Sequence, residues 1–354
     1  MKIKKIALLI YFFLRLPLIC LLKLAFPARS DRATEVSSVL VIRIDRMGDF
    51  ILSLPVFDNL RLKYPKARIT VAVRPYLKDL AGLVKDIDQV IVCENVFAAA
   101  GKIRKQKFDL ALDLLCGWRL DSALLAFMSR APVRAGFKGG FRELLFTHKI
   151  CAESFAGKTM AELNLEVLNS FGVPVIVTEP RLRLDKKNTD ELVIALHPGG
   201  YYKSQRWGAD RFALLGKKIL ERYKVKLAVL GSFEEKQLAG YISQGINNNN
   251  ARVVLTGMKD LVFFLSGCKL LVCNNSGPLH LAAALGVPTV SMMGPTDPVL
   301  WRPAGKNHVV IRKALSCSPC GKAECERREC LDLIGVDEVF SAVKSQLDKI
   351  YGIK

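Results

Sequence analysis

The chain has 354 residues, 51% of them hydrophobic, and its 53 Lys+Arg against 33 Asp+Glu give a formal net charge of +20. That apolar share excludes a disordered chain, and the length excludes a small stapled scaffold; it suits about two domains, each able to bury its own core. The charge calls for an anionic partner: nucleic acid, a membrane surface or a phosphorylated substrate.

Residues 6–26 read IALLIYFFLRLPLICLLKLAF, broken by Arg15, Pro17 and Lys23. A spanning helix wants about 20 uncharged apolar residues. On a helical wheel Lys4 and Arg15 fall close together, with Lys5 and Lys23 about a quarter-turn away, and residues 1–30 hold six Lys/Arg and no acid. A narrow basic stripe on an apolar helix predicts a membrane-associating segment over 1–30, lying in an anionic leaflet. A true span and a signal peptide are the alternatives; Ala25-Phe26-Pro27-Ala28 fits a cleavage site poorly, because Pro27 would sit next to the cut.

Beyond this segment, apolar runs alternate with helical spacing. Strands are expected at 39–44, 69–73, 89–93, 110–114 and near 134–137, and helices at 50–63, 76–84, 96–106 and 121–129. A Pro- and charge-containing stretch over 175–190 reads as a linker. A second series follows, with strands at 192–196, 227–230, 252–255, 270–273 and 289–292. Its helices are expected at 209–223, 234–246, 261–266 and 278–285, and a final amphipathic helix at 337–350. Unbroken apolar strands alternating with helices mark parallel sheets covered on both faces. The expected organisation is α/β: a domain over 36–178, a second over 190–336 and a C-terminal helix over 337–354. Two doubly wound halves would bind ligands at the carboxyl ends of their strands, across a cleft.

Three loops carry chemistry. The first, Arg43 to Asp49, leaves the first strand; Gly48 permits a tight turn, and Asp49 can cap a helix or accept a proton from a hydroxyl. The second, His197 to Gly208, has paired glycines at Gly199 and Gly200 for close backbone approach, with Lys203 and Arg206 for phosphate. The third opens with Asn274, Asn275 and Ser276 and enters a small, apolar helix through Gly277, Pro278 and Leu279. Its N-terminus suits an anion, Ser276 can cap it or donate to phosphate, and His280 lies one turn in. Neither G-x-G-x-x-G nor G-x-x-x-x-G-K-[ST] occurs, so dinucleotide redox chemistry and P-loop hydrolysis lose support.

Ten cysteines are present. Six are scattered and read as buried thiols, favouring a reducing, cytosolic setting. Cys317, Cys320, Cys325 and Cys330 crowd one loop, where they could form a structural zinc site, disulfides or free thiols.

The three loops resemble those of glycosyltransferase family 9, the lipopolysaccharide heptosyltransferases, over about residues 39–339. The resemblance rests on R-x-D-R-x-G-D at Arg43–Asp49, H-P-G…R-W at His197–Trp207, N-N-S-G-P-x-H-x-A-A-A-x-G-x-P from Asn274, M-G-P-T-D-P at Met293–Pro298, and the cysteine cluster. It implies a GT-B fold of two Rossmann-like domains facing a cleft. It further implies metal-independent, inverting transfer from a nucleotide sugar, typically ADP-L-glycero-D-manno-heptose, to the lipopolysaccharide inner core or a related lipid-linked glycan. This would take place at the cytoplasmic face of the inner membrane. By the same resemblance Asp49 is the base, Arg46, Met47 and Gly48 lie on the acceptor side, and Gly199, Lys203, Arg206, Ser276, Gly277, Pro278, Leu279 and His280 hold donor phosphate. Asn275 stands where many members have an acid contacting the donor sugar, and Gln205 where many have Lys. Glu234 or Glu235 matches the ribose-binding acid. A nucleic-acid partner loses support, since no such motif is present and the basic residues are dispersed. A non-catalytic nucleotide-sugar binder is a third reading.

Overall fold

A computed structural model describes residues 35–151, 157–184 and 191–352. The expected membrane-associating helix over 1–30 lies outside the described residues, as does 185–190 of the expected linker. Among the described residues no helix is long and apolar enough to cross a membrane.

The chain divides into two compact units. The first contains β1 (Ser38–Arg43), α2 (Leu54–Lys63), β2 (Arg68–Val73), α3 (Lys78–Ala81), β3 (Gln89–Val92), α4 (Val96–Arg104), β4 (Leu110–Asp113), α5 (Asp121–Met128), β5 (Val133–Phe137), β6 (His148–Ile150) and α6 (Met160–Asn169). Helix α1 (Met47–Leu52) interrupts this series in sequence but belongs to the second unit. There it joins β7 (Val193–His197), α7 (Ala209–Arg222), β8 (Lys226–Gly231), α8 (Lys236–Ile246), β9 (Ala251–Leu255), α9 (Met258–Ser266), β10 (Leu270–Asn274), α10 (Gly277–Ala284), β11 (Thr289–Met292), β12 (His308–Ile311), α11 (Glu329–Asp332) and α12 (Val336–Tyr351).

Each unit holds one six-stranded sheet, ordered β3-β2-β1-β4-β5-β6 and β12-β11-β10-β7-β8-β9. Every ladder within them is parallel. Counted from its own first strand, each sheet runs 3-2-1-4-5-6, the doubly wound Rossmann order. The strand order reverses between β1 and β4 in one unit and between β7 and β10 in the other, and loops at such a point face a ligand crevice. Strands β1, β7 and β10 are buried along their full length, as their continuous apolar sequences require.

Several local features differ from expectation. The helix expected over 50–63 is two helices, broken at Ser53, whose hydroxyl donates to the Phe50 carbonyl (2.7 Å). Pro55 explains the break, because it lacks the N–H an unbroken helix would use and crowds the residue before it. Edge strands β6 and β12 and helix α6 were not anticipated; β6 is only 3 residues long. The C-terminal helix is not an appendage: Val339, Val343 and Leu347 of α12 enter the same core as Trp207, Phe212, Leu331 and Ile334.

The first unit is closed by a buried ion pair absent from the sequence reading. Arg142 and Asp113, both with fully buried side chains, meet at 2.5 Å. The same guanidinium donates to the carbonyls of Leu115 (2.7 Å) and Gly117 (2.9 Å), so it holds the loop that leaves β4. Nearby, Arg43 donates to the Leu114 carbonyl and pairs with Asp45 at 3.3 Å. Arg74 and Tyr76 donate to the carbonyls of Ile44 and Asp45 at 2.8 and 3.2 Å. Breaking a buried pair strands one charge and costs about 3–5 kcal/mol. Arg142→Ala is therefore expected to lower unfolding free energy by about that amount in a urea titration; a loss under about 1 kcal/mol would show that the pair is not holding this loop.

Candidate active site

The second unit brings the 197–208 loop, the α10 entrance and α1 together. At the centre is Asn274, the last residue of β10 and fully buried. Its amide nitrogen donates to the carbonyls of Pro198 (2.8 Å) and Gly199 (3.0 Å), and its oxygen accepts from Trp207 N–H (3.0 Å). One side chain thus staples both ends of the glycine loop. Trp207, fully buried, donates its indole N–H to the Ile334 carbonyl (2.9 Å) and packs edge-on against Phe212. Gly208 follows with φ +84°, a conformation that favours glycine.

Within the loop the side chains divide the work. The Arg206 guanidinium donates twice to the Gly200 carbonyl, at 3.0 and 2.8 Å, and so shapes the loop it was expected to arm. Lys203 stands exposed on a single 3₁₀ turn, Lys203–Gln205. Gln205 accepts from Tyr202 N–H and donates to Thr296 of the M-G-P-T-D-P loop (3.3 Å), while Ser204 donates to the Lys322 carbonyl (2.7 Å).

Gly199 is needed for space. A β-carbon there would collide with a Glu235 carboxylate oxygen and stand 2.9 Å from His197 Cε1. Glu235 accepts from Ser232 N–H (3.1 Å), capping the short turn Phe233–Glu235, and its other face lies over the glycine loop. The adjacent Glu234 is fully exposed, and a hydrogen bond from Ser232 holds its carboxyl below the usual range. His197 lies 4.0 Å from Glu235; burial lowers its basicity and the carboxylate partly restores it.

At the α10 entrance, Ser276 has extended backbone and makes no side-chain cap. Its hydroxyl lies 3.4 Å from both His197 Nδ1 and the Asn274 carbonyl. Leu279 N–H is spent on the Ser276 carbonyl (3.1 Å), and Pro278 has none. Asn275 is buried beside this turn in sequence. Helix α1 packs against α10. Asp49, in the first turn of α1, is half-buried, and Arg46 just before it is exposed. Met47 packs on Gly277 and Gly48 on His280, so two of the three residues expected on the acceptor side lie against the expected phosphate-binding helix. Gly48 serves close approach and not a special backbone conformation, since its φ is not among the positive ones.

Of the three states open to the cysteine loop, the structure favours free thiols. Cys317, Cys320, Cys325 and Cys330 are all free thiols, and among the described residues no three His, Cys, Asp or Glu gather to hold a metal. None of these four cysteines is in a disulfide, and the zinc clip finds no support. Cys330 is drawn inward on α11 against Gly294 and the core, whereas the other three remain exposed.

The family model for glycosyltransferase family 9 (heptosyltransferase) matches residues 96–330, more than half of the chain. The chain belongs to glycosyltransferase family 9. A Salmonella typhimurium protein named lipopolysaccharide heptosyltransferase 2 is 24% identical over 308 residues, covering 77% of this chain and 87% of the relative. A putative glycosyltransferase of Haemophilus influenzae is 23% identical and covers 87% of this chain and 96% of its own length. Among solved structures, E. coli ADP-heptose lps heptosyltransferase II aligns with TM-score 0.75 at 21% identity, covering 88% of this chain and 99% of that one. An E. coli heptosyltransferase, WaaC, solved with ADP aligns at 0.74 and 17%, covering 87% and 99%. The architecture of this family 9 glycosyltransferase is accordingly GT-B-like: two parallel α/β units of Rossmann order.

His280 titrates far from its ordinary range. Burial, with a smaller push from His308, lowers it to about 4. Between about pH 6.5 and 4 the unfolded chain therefore binds a proton that the fold refuses, so stability is full above this window and lost as pH falls through it. His280 alone is expected to cost on the order of 1–3 kcal/mol between pH 7 and 4. Urea midpoints of the protein and of His280→Phe across that range test this; equal pH slopes would refute it.

Proposed function

We propose that this family 9 glycosyltransferase moves a heptose from ADP-heptose to the inner core of lipopolysaccharide, with inversion and without a metal ion, at the cytoplasmic face of the inner membrane. The observation that carries this reading is the packing of α1, with Asp49 in its first turn, directly on the entrance of α10. A general base and a helix N-terminus thereby share one compact unit. The relatives named heptosyltransferase and the neighbour solved with ADP support the donor class.

In this mechanism Asp49 accepts the proton of the acceptor hydroxyl as that oxygen attacks the anomeric carbon. The bond from that carbon to the diphosphate breaks, and ADP departs from the opposite face. Negative charge growing on the diphosphate meets Gly277 N–H, the Ser276 hydroxyl and the positive end of α10. Arg206 is occupied in shaping the loop, so Lys203 takes the phosphate role. Glu235, whose carboxylate leans over the glycine loop, is the ribose acid in preference to the exposed Glu234. Asn275 keeps hydrogen bonding to the donor sugar without the acid's charge.

Asp49→Asn is expected to lower heptose transfer about 10²–10⁴-fold while ADP still binds, read by ADP release from ADP-heptose in the presence of heptose-free lipopolysaccharide core. Full turnover in that variant would remove Asp49 from the chemistry. ADP at about 100 times its Kd should stabilise the fold by about 2.7 kcal/mol, and UDP or GDP at the same concentration by less; equal shifts would argue against an ADP-sugar.

The membrane partner rests on the six Lys/Arg and no acid in residues 1–30. A chain of residues 28–354 is expected to lose flotation with vesicles containing anionic lipid while keeping its thermal midpoint. Undiminished flotation would place the membrane contact elsewhere.

A further inference from the structure

We propose that His280 is a positioning residue for Asp49: its imidazole, seated against Gly48, sets where the first turn of α1 rests on α10. The inference deepens the functional reading above and rests on its assignment of Asp49.

Two contacts interlock the helices in opposite senses. On α1, a β-carbon at residue 48 would stand 2.9 Å from His280 Cδ2 and 3.7 Å from its Nε2. On α10, a β-carbon at residue 277 would collide with the Met47 methyl and stand 3.1 Å from Met47 Cβ. Each helix offers a glycine where the other presents a bulky side chain, so the pair is fixed both along and across its contact. Asp49 is the next residue after Gly48, and any shift of Gly48 is passed to it through one peptide unit.

The His280 ring is itself held firmly. It is buried, and Trp301 lies tilted beside it with ring centres 6.3 Å apart. Its Nδ1 is buried without a hydrogen-bond partner. An imidazole used for its hydrogen bonds would satisfy that nitrogen; here the ring serves by its shape. Its low basicity fits the same role, because a neutral ring packs against a glycine more cheaply than a cation. The family resemblance implies a phosphate-binding role for His280; the Cδ2 edge facing α1 points to a packing role.

Reacting groups misplaced by about 1 Å can lose about 100-fold in rate. His280→Ala is therefore expected to lower kcat for heptose transfer from ADP-heptose by about 10- to 100-fold, with KM for ADP-heptose and affinity for ADP changed less than about threefold. His280→Phe, which restores a flat ring, should recover at least about tenfold of that loss. Gly48→Ala should also lower kcat, and adding His280→Ala to it should raise kcat again, since the new methyl enters the vacated space. His280→Leu replaces His280→Ala in both comparisons if the latter does not fold by its thermal midpoint. A rise in KM with kcat intact would overturn the proposal by making His280 a donor contact. So would losses from Gly48→Ala and His280→Ala that simply add. If Asp49→Asn keeps full turnover, the assignment of Asp49 itself fails. If Asp49→Asn is inactive while His280→Ala and His280→Leu keep full kcat, only the positioning role fails.

Discussion

The organisation of the second unit depends on one buried primary amide. Asn274 has two N–H groups and an acceptor oxygen, and all three meet backbone groups of the glycine loop. No other side chain of its size offers that set: aspartate would turn an anion on two carbonyls, and leucine would strand three buried backbone groups at about 1–3 kcal/mol each. Because the staple sits where the strand order reverses, it fixes the loop from β7 and the entrance to α10 in one step. The Arg206 clamp on Gly200, the indole bond of Trp207 and the seat of Glu235 over Gly199 all presuppose this loop path.

Much of the architecture was legible because parallel strands buried on both faces must be continuously apolar, and β1, β7 and β10 are. Their alternation with amphipathic helices left few topologies open. Short edge strands carry too little pattern: three residues, His148–Ile150, show no period. The break at Ser53 was readable from Pro55 but was masked by the apolar spacing that runs through both helices.

The site was legible as loops, not as contacts. Gly48, Gly199 and Gly277 were visible as glycines, but the reason for each is a neighbour distant in sequence: His280, Glu235 and Met47. Arg142 and Asp113 lie 29 residues apart, and nothing local announces that they pair in the interior. Asn274 stood in plain view within an Asn-Asn-Ser run, yet its partners are 67 to 76 residues upstream. The spacing of the four cysteines left zinc, disulfides and free thiols open, and only the fold shows free thiols with Cys330 packed into the apolar core. Side-chain function of this kind is written in tertiary proximity, and one-dimensional spacing underdetermines it.

Helix α1 is made early and used late. It lies near the start of the described chain, yet its contact surface, α10, begins at residue 277. During synthesis it must wait for more than 200 further residues, with Met47 and Gly48 lacking the Gly277 and His280 they finally pack on. Such a contact adds strongly to mean sequence separation and slows closure of the second unit. A fragment starting at residue 179 would therefore present α10 without its cover.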